Sequence, residues 1–190
     1  MPQVKKEDVR TAILEATLAI VSDKGYVGAS MSQIARTAGV SNANIYIYFQ
    51  SKVDVFFSVY EVWLKEKIGL LEEKIDLAGT PEEKCRVFLN GLLREIPTLD
   101  NCFTNNLIQA ISTVGPSDHY KPELREWLES RIEAILKSVV PQLQKAHAKR
   151  RRLAHFIVMT FDGCAVNYRV NHASLLDEKL VQDFTDMLLQ

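Results

Sequence analysis

Apolar residues recur every three or four positions along almost the whole chain of 190 residues, and polar start and stop signals bound each recurring stretch. This period places the apolar residues on one face of an α-helix, whereas a half-buried strand needs a strict alternation. No segment has such an alternation, and no repeat or low-complexity tract interrupts the pattern. We therefore predict an all-α fold of about nine helices.

Two of the predicted helices are short and close together. Ser30 and Gln33 form a capping box, in which each side chain bonds the other residue's backbone N–H, and Ser41 is the N-cap of the next helix. The connection Ala38-Gly39-Val40-Ser41 contains a glycine that permits a sharp reversal, and Val40 can pack against Ile45 to fix the angle of the following helix. This arrangement is typical of a helix-turn-helix.

The charge distribution favours the same part of the chain. The whole sequence is nearly balanced, with 23 Lys and Arg against 24 Asp and Glu, yet no acidic residue occurs from Ser30 to Lys52. Because a solvated protein surface normally mixes both signs, an acid-free stretch suits contact with phosphate groups. A chance distribution of charge is the alternative.

The stretch from Met31 to Lys52 resembles the DNA-binding domain of the TetR family (TetR/AcrR type) of bacterial transcriptional regulators. The matching residues are Ile34-Ala35, Ala38-Gly39-Val40-Ser41, Ile45-Tyr46, Tyr48-Phe49 and Ser51-Lys52. Beyond residue 60 the resemblance is one of helix number and length, with an Asp162-Gly163 pair in the eighth helix. It implies a DNA-binding domain over residues 1–52 and an effector-binding and dimerisation domain over residues 53–190.

The resemblance implies a ligand-responsive regulator, most often a repressor that a small molecule releases from a near-palindromic double-stranded DNA operator. The third helix is short enough to enter a major groove, where asparagine can read adenine and a small residue permits close approach. Tyrosine hydroxyls, serines at helix N-termini and basic residues can contact phosphate. The candidate DNA-binding residues are Ser30, Arg36, Ser41, Asn42, Ala43, Asn44, Tyr46, Ile47, Tyr48 and Lys52.

Several of these residues have a second interpretation. Ser30 and Ser41 can serve as helix caps with or without a phosphate contact. Tyr48 can pack against the first helix, and Lys52 can be simply solvated. Ile47 can touch a thymine methyl group or fill a gap in the protein.

Two further sets of residues are expected in the C-terminal domain. An effector pocket needs apolar walls with a few polar groups, and the candidates are Tyr60, Trp63, Phe88, Phe103, Tyr120, Trp127, Asn167 and Tyr168. One short recognition helix covers few base pairs, so we expect a two-fold homodimer. Its face is predicted on helices eight and nine, at Phe156, Ile157, Phe161, Cys164, Leu180, Phe184 and Leu188.

The remaining features of the sequence favour no other chemistry. No nucleophile array, phosphate-binding loop or metal-ligand spacing is present, so we expect neither an enzyme nor a cofactor or metal. The basic cluster from Lys149 to Arg152 is interpreted as a solvated turn. We expect a protein of the bacterial cytoplasm, associated with the nucleoid when bound to DNA and without a membrane partner. The alternatives are a constitutive DNA-binding or nucleoid-organising protein and a helical small-molecule-binding module.

Overall fold

A computed structural model describes residues 3–114, 122–171 and 176–190 of the chain, and the predicted all-α fold is confirmed in these ranges, which contain no strand. The helices are α1 (Gln3–Gly28), α2 (Met31–Thr37), α3 (Asn42–Tyr48), α4 (Lys52–Leu77), α5 (Pro81–Asn90), α6 (Leu99–Ile111), α7 (Glu123–Val139), α8 (His147–Asn171) and α9 (Glu178–Leu189). The described residues also contain three short segments of π- or 3₁₀-helix, at Gly91–Glu95, Ile96–Thr98 and Pro141–Leu143. Among the described residues, no helix has the length and apolarity needed to cross a membrane.

The described residues form two compact units that divide within α4. The first unit runs to Leu64 and also contains α6 from Asp100 onward, whereas the second unit contains Lys65–Leu99 and the helices from α7 to α9. The predicted boundary after residue 52 lies earlier in the chain. The difference arises because the first three turns of α4 bury Val55, Phe56 and Tyr60 in the first unit.

The first unit has a small apolar core to which four helices contribute. Its buried residues come from α1, α2, α3 with its C-cap, and the start of α4, and they are Ile13, Ala16, Ile34, Ala35, Ile45, Phe49 and Val55. Val40 packs against this cluster, as expected for a hydrophobic staple with Ile45. Because α2 and α3 have only seven residues each, burial of this face rather than intrinsic propensity holds them helical.

Glycine sets the end of the regular part of α1. Gly25 has φ +72°, a region that residues with a Cβ rarely adopt, so the helical geometry is broken there before one more turn reaches Gly28. Glycine is the residue favoured at a helix end, so the position of this break follows from the sequence. Gly39, with φ +68°, likewise turns the chain between α2 and α3.

In the second unit, a glycine allows two helices to approach closely. Gly91 begins the π-helical turn after α5, and a Cβ built on it would lie 2.3 Å from Cδ1 of Leu71 on α4. Leu71 is itself buried, so its side chain has little room to move away. Pro97, which has no backbone N–H to continue a helix, lies in the 3₁₀ turn Ile96–Thr98 that follows the π-helical turn directly.

The basic cluster near the start of α8 is only partly solvated. Arg150 is buried, and its guanidinium donates to the backbone oxygens of Leu143 and Gln144 at 2.7 and 3.1 Å and to Glu133 at 3.2 Å. The side chain thereby satisfies carbonyl groups of the connection between α7 and α8. Lys149, Arg151 and Arg152 are exposed, but they belong to the first turns of α8 and not to the turn that the sequence predicted.

Substitution of alanine at two helical glycines tests the close approach at Gly91. Gly91→Ala is expected to lower the free energy of unfolding by about 1–3 kcal/mol, because the added methyl overlaps Leu71. Gly69→Ala is the matched control, since nothing lies within 4 Å of its built Cβ, and is expected to stabilise by up to about 1 kcal/mol. Urea denaturation followed by circular dichroism measures both, and equal effects would contradict the packing argument.

Candidate nucleic-acid interface

The capping box at the start of α2 forms as the sequence predicts. The Ser30 hydroxyl accepts the backbone N–H of Gln33 at 3.3 Å, and the Gln33 side chain accepts the backbone N–H of Ser30 at 3.0 Å. Ile34 and Ala35 are buried, while Arg36 is exposed near the end of the helix. The guanidinium of Arg36 is therefore open to a ligand on the outer side of α2.

The third helix presents most of its side chains to solvent. Ser41 caps it by accepting the backbone N–H of Asn44 at 3.1 Å, and Ile45 is its buried anchor. Tyr46 and Ile47 are 55% and 70% exposed, which is unusual for large apolar side chains and excludes a gap-filling role for Ile47 in the single chain. Asn42 and Ala43 are exposed as well, and Asn44 is half-buried.

Two contacts fix how α3 is seated. Tyr48 is half-buried and packs against the core of the first unit, which leaves it less open to a ligand than Tyr46. The Asn42 side chain donates to the Ser32 hydroxyl at 3.2 Å and so links α3 to α2. This link was not predicted, because the two residues are joined only once the turn at Gly39 has formed.

Lys52, at the first position of α4, is bound within the protein. Its ammonium donates to the backbone oxygens of Tyr26 at 2.9 Å and Ala29 at 3.1 Å, and it lies 4.1 Å from the centre of the Tyr26 ring. Burial lowers the pKa of Lys52 below its usual value. The sequence predicted either a phosphate contact or a solvated side chain for Lys52, and it did not predict hydrogen bonds to the carbonyls of Tyr26 and Ala29. These residues are more than twenty positions away from Lys52, so only the folded structure shows that they meet.

The predicted effector residues are divided between the two units. Tyr60, Trp63 and Phe103 are buried in the first unit with their ring centres 5.1–5.9 Å apart, in a packed aromatic cluster that also includes Phe56. In the second unit Phe88 is buried, Trp127 and Tyr168 are half-buried, and Asn167 is exposed. Tyr120 lies outside the described residues.

The second unit contains a cleft of about 390 Å³ between α5 and α9 that the sequence did not suggest. Its lining residues are Arg86, Val87, Asn90, Arg94, Glu178, Val181 and Gln182. Arg94 donates to Asn90 at 2.8 Å, and Gln182 is bonded to the carboxylates of Glu82 and Asp186. The charged residues of the lining are two arginines, Arg86 and Arg94, and one glutamate, Glu178.

The exposed apolar face of α8 differs from the predicted one. Ile157 and Phe161 are each only 1% exposed in the single chain and belong to its core, so they are not available to a partner. The apolar side chains that α8 exposes are Phe156, Met159, Val166 and Val170. On α9, Leu180 is exposed while Phe184 and Leu188 are half-buried, and Cys164 of α8 is half-buried too.

This fold and this surface define the class of the protein, an all-α helix-turn-helix protein with a second helical unit. A family model described as "Bacterial regulatory proteins, tetR family" matches residues 13–59. The HTH-type transcriptional regulator AcrR of Shigella flexneri is 35% identical over 192 residues, covering 97% of this chain and 89% of that protein. BetI of Pectobacterium carotovorum subsp. carotovorum (strain PC1) is 36% identical over 168 residues, covering 86% and 74%. The chain belongs to the TetR family of bacterial regulatory proteins.

Other similarities are partial or confined to the fold. For three further relatives the chain covers only 40%, 65% and 56% of their length. Among solved structures, the transcriptional regulator FadR from Bacillus subtilis in complex with stearoyl-CoA superposes with a TM-score of 0.59 at 22% identity, over 95% of this chain and 97% of that one. At this identity the likeness establishes the shared fold alone.

Replacement of Lys52 tests whether its charge holds the protein together or contacts DNA. Lys52→Met keeps the alkyl stem and removes the ammonium, so two carbonyl groups lose a charge-assisted hydrogen bond. We expect the free energy of unfolding to fall by about 1–3 kcal/mol, as measured by urea denaturation. Unchanged stability, with a salt dependence of DNA binding reduced by about one unit, would instead identify Lys52 as a phosphate contact.

Proposed function

We propose that the chain is a ligand-responsive DNA-binding transcriptional regulator, most simply a repressor, that binds a near-palindromic operator as a homodimer and has no enzymatic role. The observation that carries the proposal is α3, a seven-residue helix with a buried anchor and an exposed face containing Asn42, Ala43, Tyr46 and Ile47. It lies in a stretch without acidic residues. Such a helix fits the major groove in width and in chemistry.

The exposed residues of α2 and α3 divide into two proposed roles. Asn42, Asn44, Ala43 and Ile47 face base edges, where the amides pair with adenine and the apolar groups meet thymine methyls. Further contacts position the protein on phosphate without reading sequence. These come from Arg36, the Tyr46 and Tyr48 hydroxyls, and the N-termini capped by Ser30 and Ser41. Lys52 supports this surface from within.

A homodimer is proposed on the outer face of α8. Phe156, Met159, Val166 and Val170 are spaced by three, seven and four residues, which places them on one face of the helix. They are 39–70% exposed, which is the pattern of a helix that lacks a covering partner. Gly163 lies on the same stripe and has open space around it, so a second helix could approach there. Two copies related by a two-fold axis would set two recognition helices about one turn of DNA apart.

Response to a small molecule is proposed from the family, in which FadR of Bacillus subtilis is known in complex with stearoyl-CoA. The aromatic cluster around Trp63 and Phe103 and the cleft between α5 and α9 are the candidate places for such a ligand. α4 supplies Trp63 to the first unit and ends in the second, so it is the proposed lever between ligand and DNA. The alternative is a constitutive DNA-binding or nucleoid-organising protein.

Selection of bound duplexes from a random pool tests DNA binding, and a metabolite screen for release of the selected duplex tests the response to a ligand. If no duplex sequence is enriched above background, the proposal that the protein is a DNA-binding regulator is wrong. Recovery of a palindrome that no metabolite releases would favour the constitutive alternative.

Two substitutions on α3 separate base reading from phosphate contact. Asn44→Ala is expected to relax the preference at particular base pairs, with a loss of about 1–3 kcal/mol for each bidentate contact. Tyr46→Phe removes one exposed hydroxyl and is expected to weaken all duplexes by a similar factor. Competition binding with single-base variants of the selected duplex measures both effects. The division of roles is wrong if the two variants have the same profile.

The dimer face is tested by introducing charge at an exposed position. Phe156→Glu is expected to give a folded monomer, because the side chain is 55% exposed in the single chain and contributes little to its core. Leu77→Glu is the control, an equally apolar residue that is 88% exposed at the end of α4. Sedimentation equilibrium should give dimers for the wild type and the control. A monomeric wild type that still binds a palindrome tightly would contradict the dimer.

A further inference from the structure

A buried amide on α6 holds the broken end of α1. Asn106 is 3% exposed, and its Oδ1 accepts the backbone N–H of Tyr26 at 2.7 Å. Because the chain leaves helical geometry at Gly25, this N–H points away from the ladder of α1 and needs another acceptor. The fit is close, since a Cβ on Gly25 would lie 3.3 Å from the same oxygen of Asn106.

Tyr26 also contacts the side chain of Lys52. Its carbonyl oxygen and its ring both receive the Lys52 ammonium, and its ring also packs edge-on against Phe56 of α4, with the centres 5.2 Å apart. The same ammonium binds the carbonyl of Ala29, which directly precedes the N-cap of α2, Ser30. A continuous series of hydrogen bonds thus leads from α6 to the first helix of the helix-turn-helix.

The other end of the Asn106 side chain meets an unusual backbone. Asp100, Asn101 and Cys102 have φ of +49°, +57° and +56°, a left-handed conformation that residues with a Cβ adopt only when their surroundings hold them. The Asn106 NH₂ group makes long contacts of 3.5 Å with the carbonyls of Asn101 and Cys102. The carboxylate of Asp100 accepts the indole N–H of Trp63 at 2.6 Å. Asn106 therefore connects this turn to the break in α1.

We propose that Asn106 is a positioning residue for DNA binding, which acts through Tyr26 and Lys52 to set the start of α2 and hence the placement of α3. This inference rests on the proposed function, because it concerns the affinity for DNA. An apolar residue of the same size would fill the same space but would leave the N–H of Tyr26 without an acceptor. The corner between α1 and α2 would then lose its fixed position while the apolar core around Ile34 and Ile45 stays intact.

The test compares three variants on the duplex selected by the wild type. Asn106→Leu conserves volume and removes both hydrogen-bonding groups, whereas Asn106→Asp keeps the acceptor for Tyr26. Asn105→Leu is the matched control, because Asn105 is buried next to it on α6 and has no hydrogen bond to α1 among the described residues. Binding is measured at several salt concentrations, below the unfolding transition of every variant, and the exchange of the Tyr26 amide proton is followed by NMR.

Asn106→Leu is expected to weaken binding at least tenfold, with an unchanged salt slope because no phosphate contact is lost, and to remove the protection of the Tyr26 amide. Asn106→Asp keeps the acceptor but turns a carboxylate oxygen towards the carbonyls of Asn101 and Cys102, so it should protect the Tyr26 amide and bind DNA more tightly than Asn106→Leu, yet less tightly than the wild type. Asn105→Leu should bind within about threefold of the wild type. Equal losses in both leucine variants, or wild-type affinity in a folded Asn106→Leu variant, would overturn the inference alone. A wild type that selects no duplex would overturn the proposed function as well.

Discussion

The DNA-facing part of this molecule depends on a constraint of helix length. α2 and α3 have seven residues each, and helices of that size are unstable by themselves because nucleation costs more than two turns of hydrogen bonds return. They persist because their N-terminal amides are capped by Ser30 and Ser41 and because Ile34 and Ile45 are fully buried. The exposed residues of α3 thus keep their outward orientation only because Ile45 of the same helix is buried in the core.

Local features of this kind could be predicted from the sequence, since a cap and its partner are three residues apart. The capping box at Ser30, the break at Gly25 and the turn at Gly39 all follow from the chemistry of residues close together in the sequence, and the structure has each of them. The pairing of Lys52 with the carbonyl of Tyr26 spans 26 positions, and that of Asn106 with its N–H spans 80. No periodicity encodes such pairs.

Helix faces were predicted less well, for a related reason. On α8 the neighbours Phe156 and Ile157 are both strongly apolar, yet one is 55% exposed and the other 1% exposed. Apolar residues surround much of this helix, so hydrophobicity alone cannot decide which stripe meets the single-chain core and which is left for a partner. The aromatic residues pose the same difficulty, because aromatic side chains are common both in ligand pockets and in packed cores. In this protein the rings of Tyr60, Trp63 and Phe103 pack directly against one another.

The polar contacts at the corner of α1 and α2 have a physical consequence that an apolar contact would not have. Apolar surfaces tolerate small displacements, whereas a hydrogen bond from a charged group is directional and is lost within about an ångström. Lys52 binds two carbonyl groups of one short segment at 2.9 and 3.1 Å, so a shift of the start of α4 along that segment must either strain both bonds or be taken up by the lysine stem. The start of α4 is therefore tied to the segment that precedes α2 by two bonds that a displacement would affect together, so the two helices are coupled through one charged side chain.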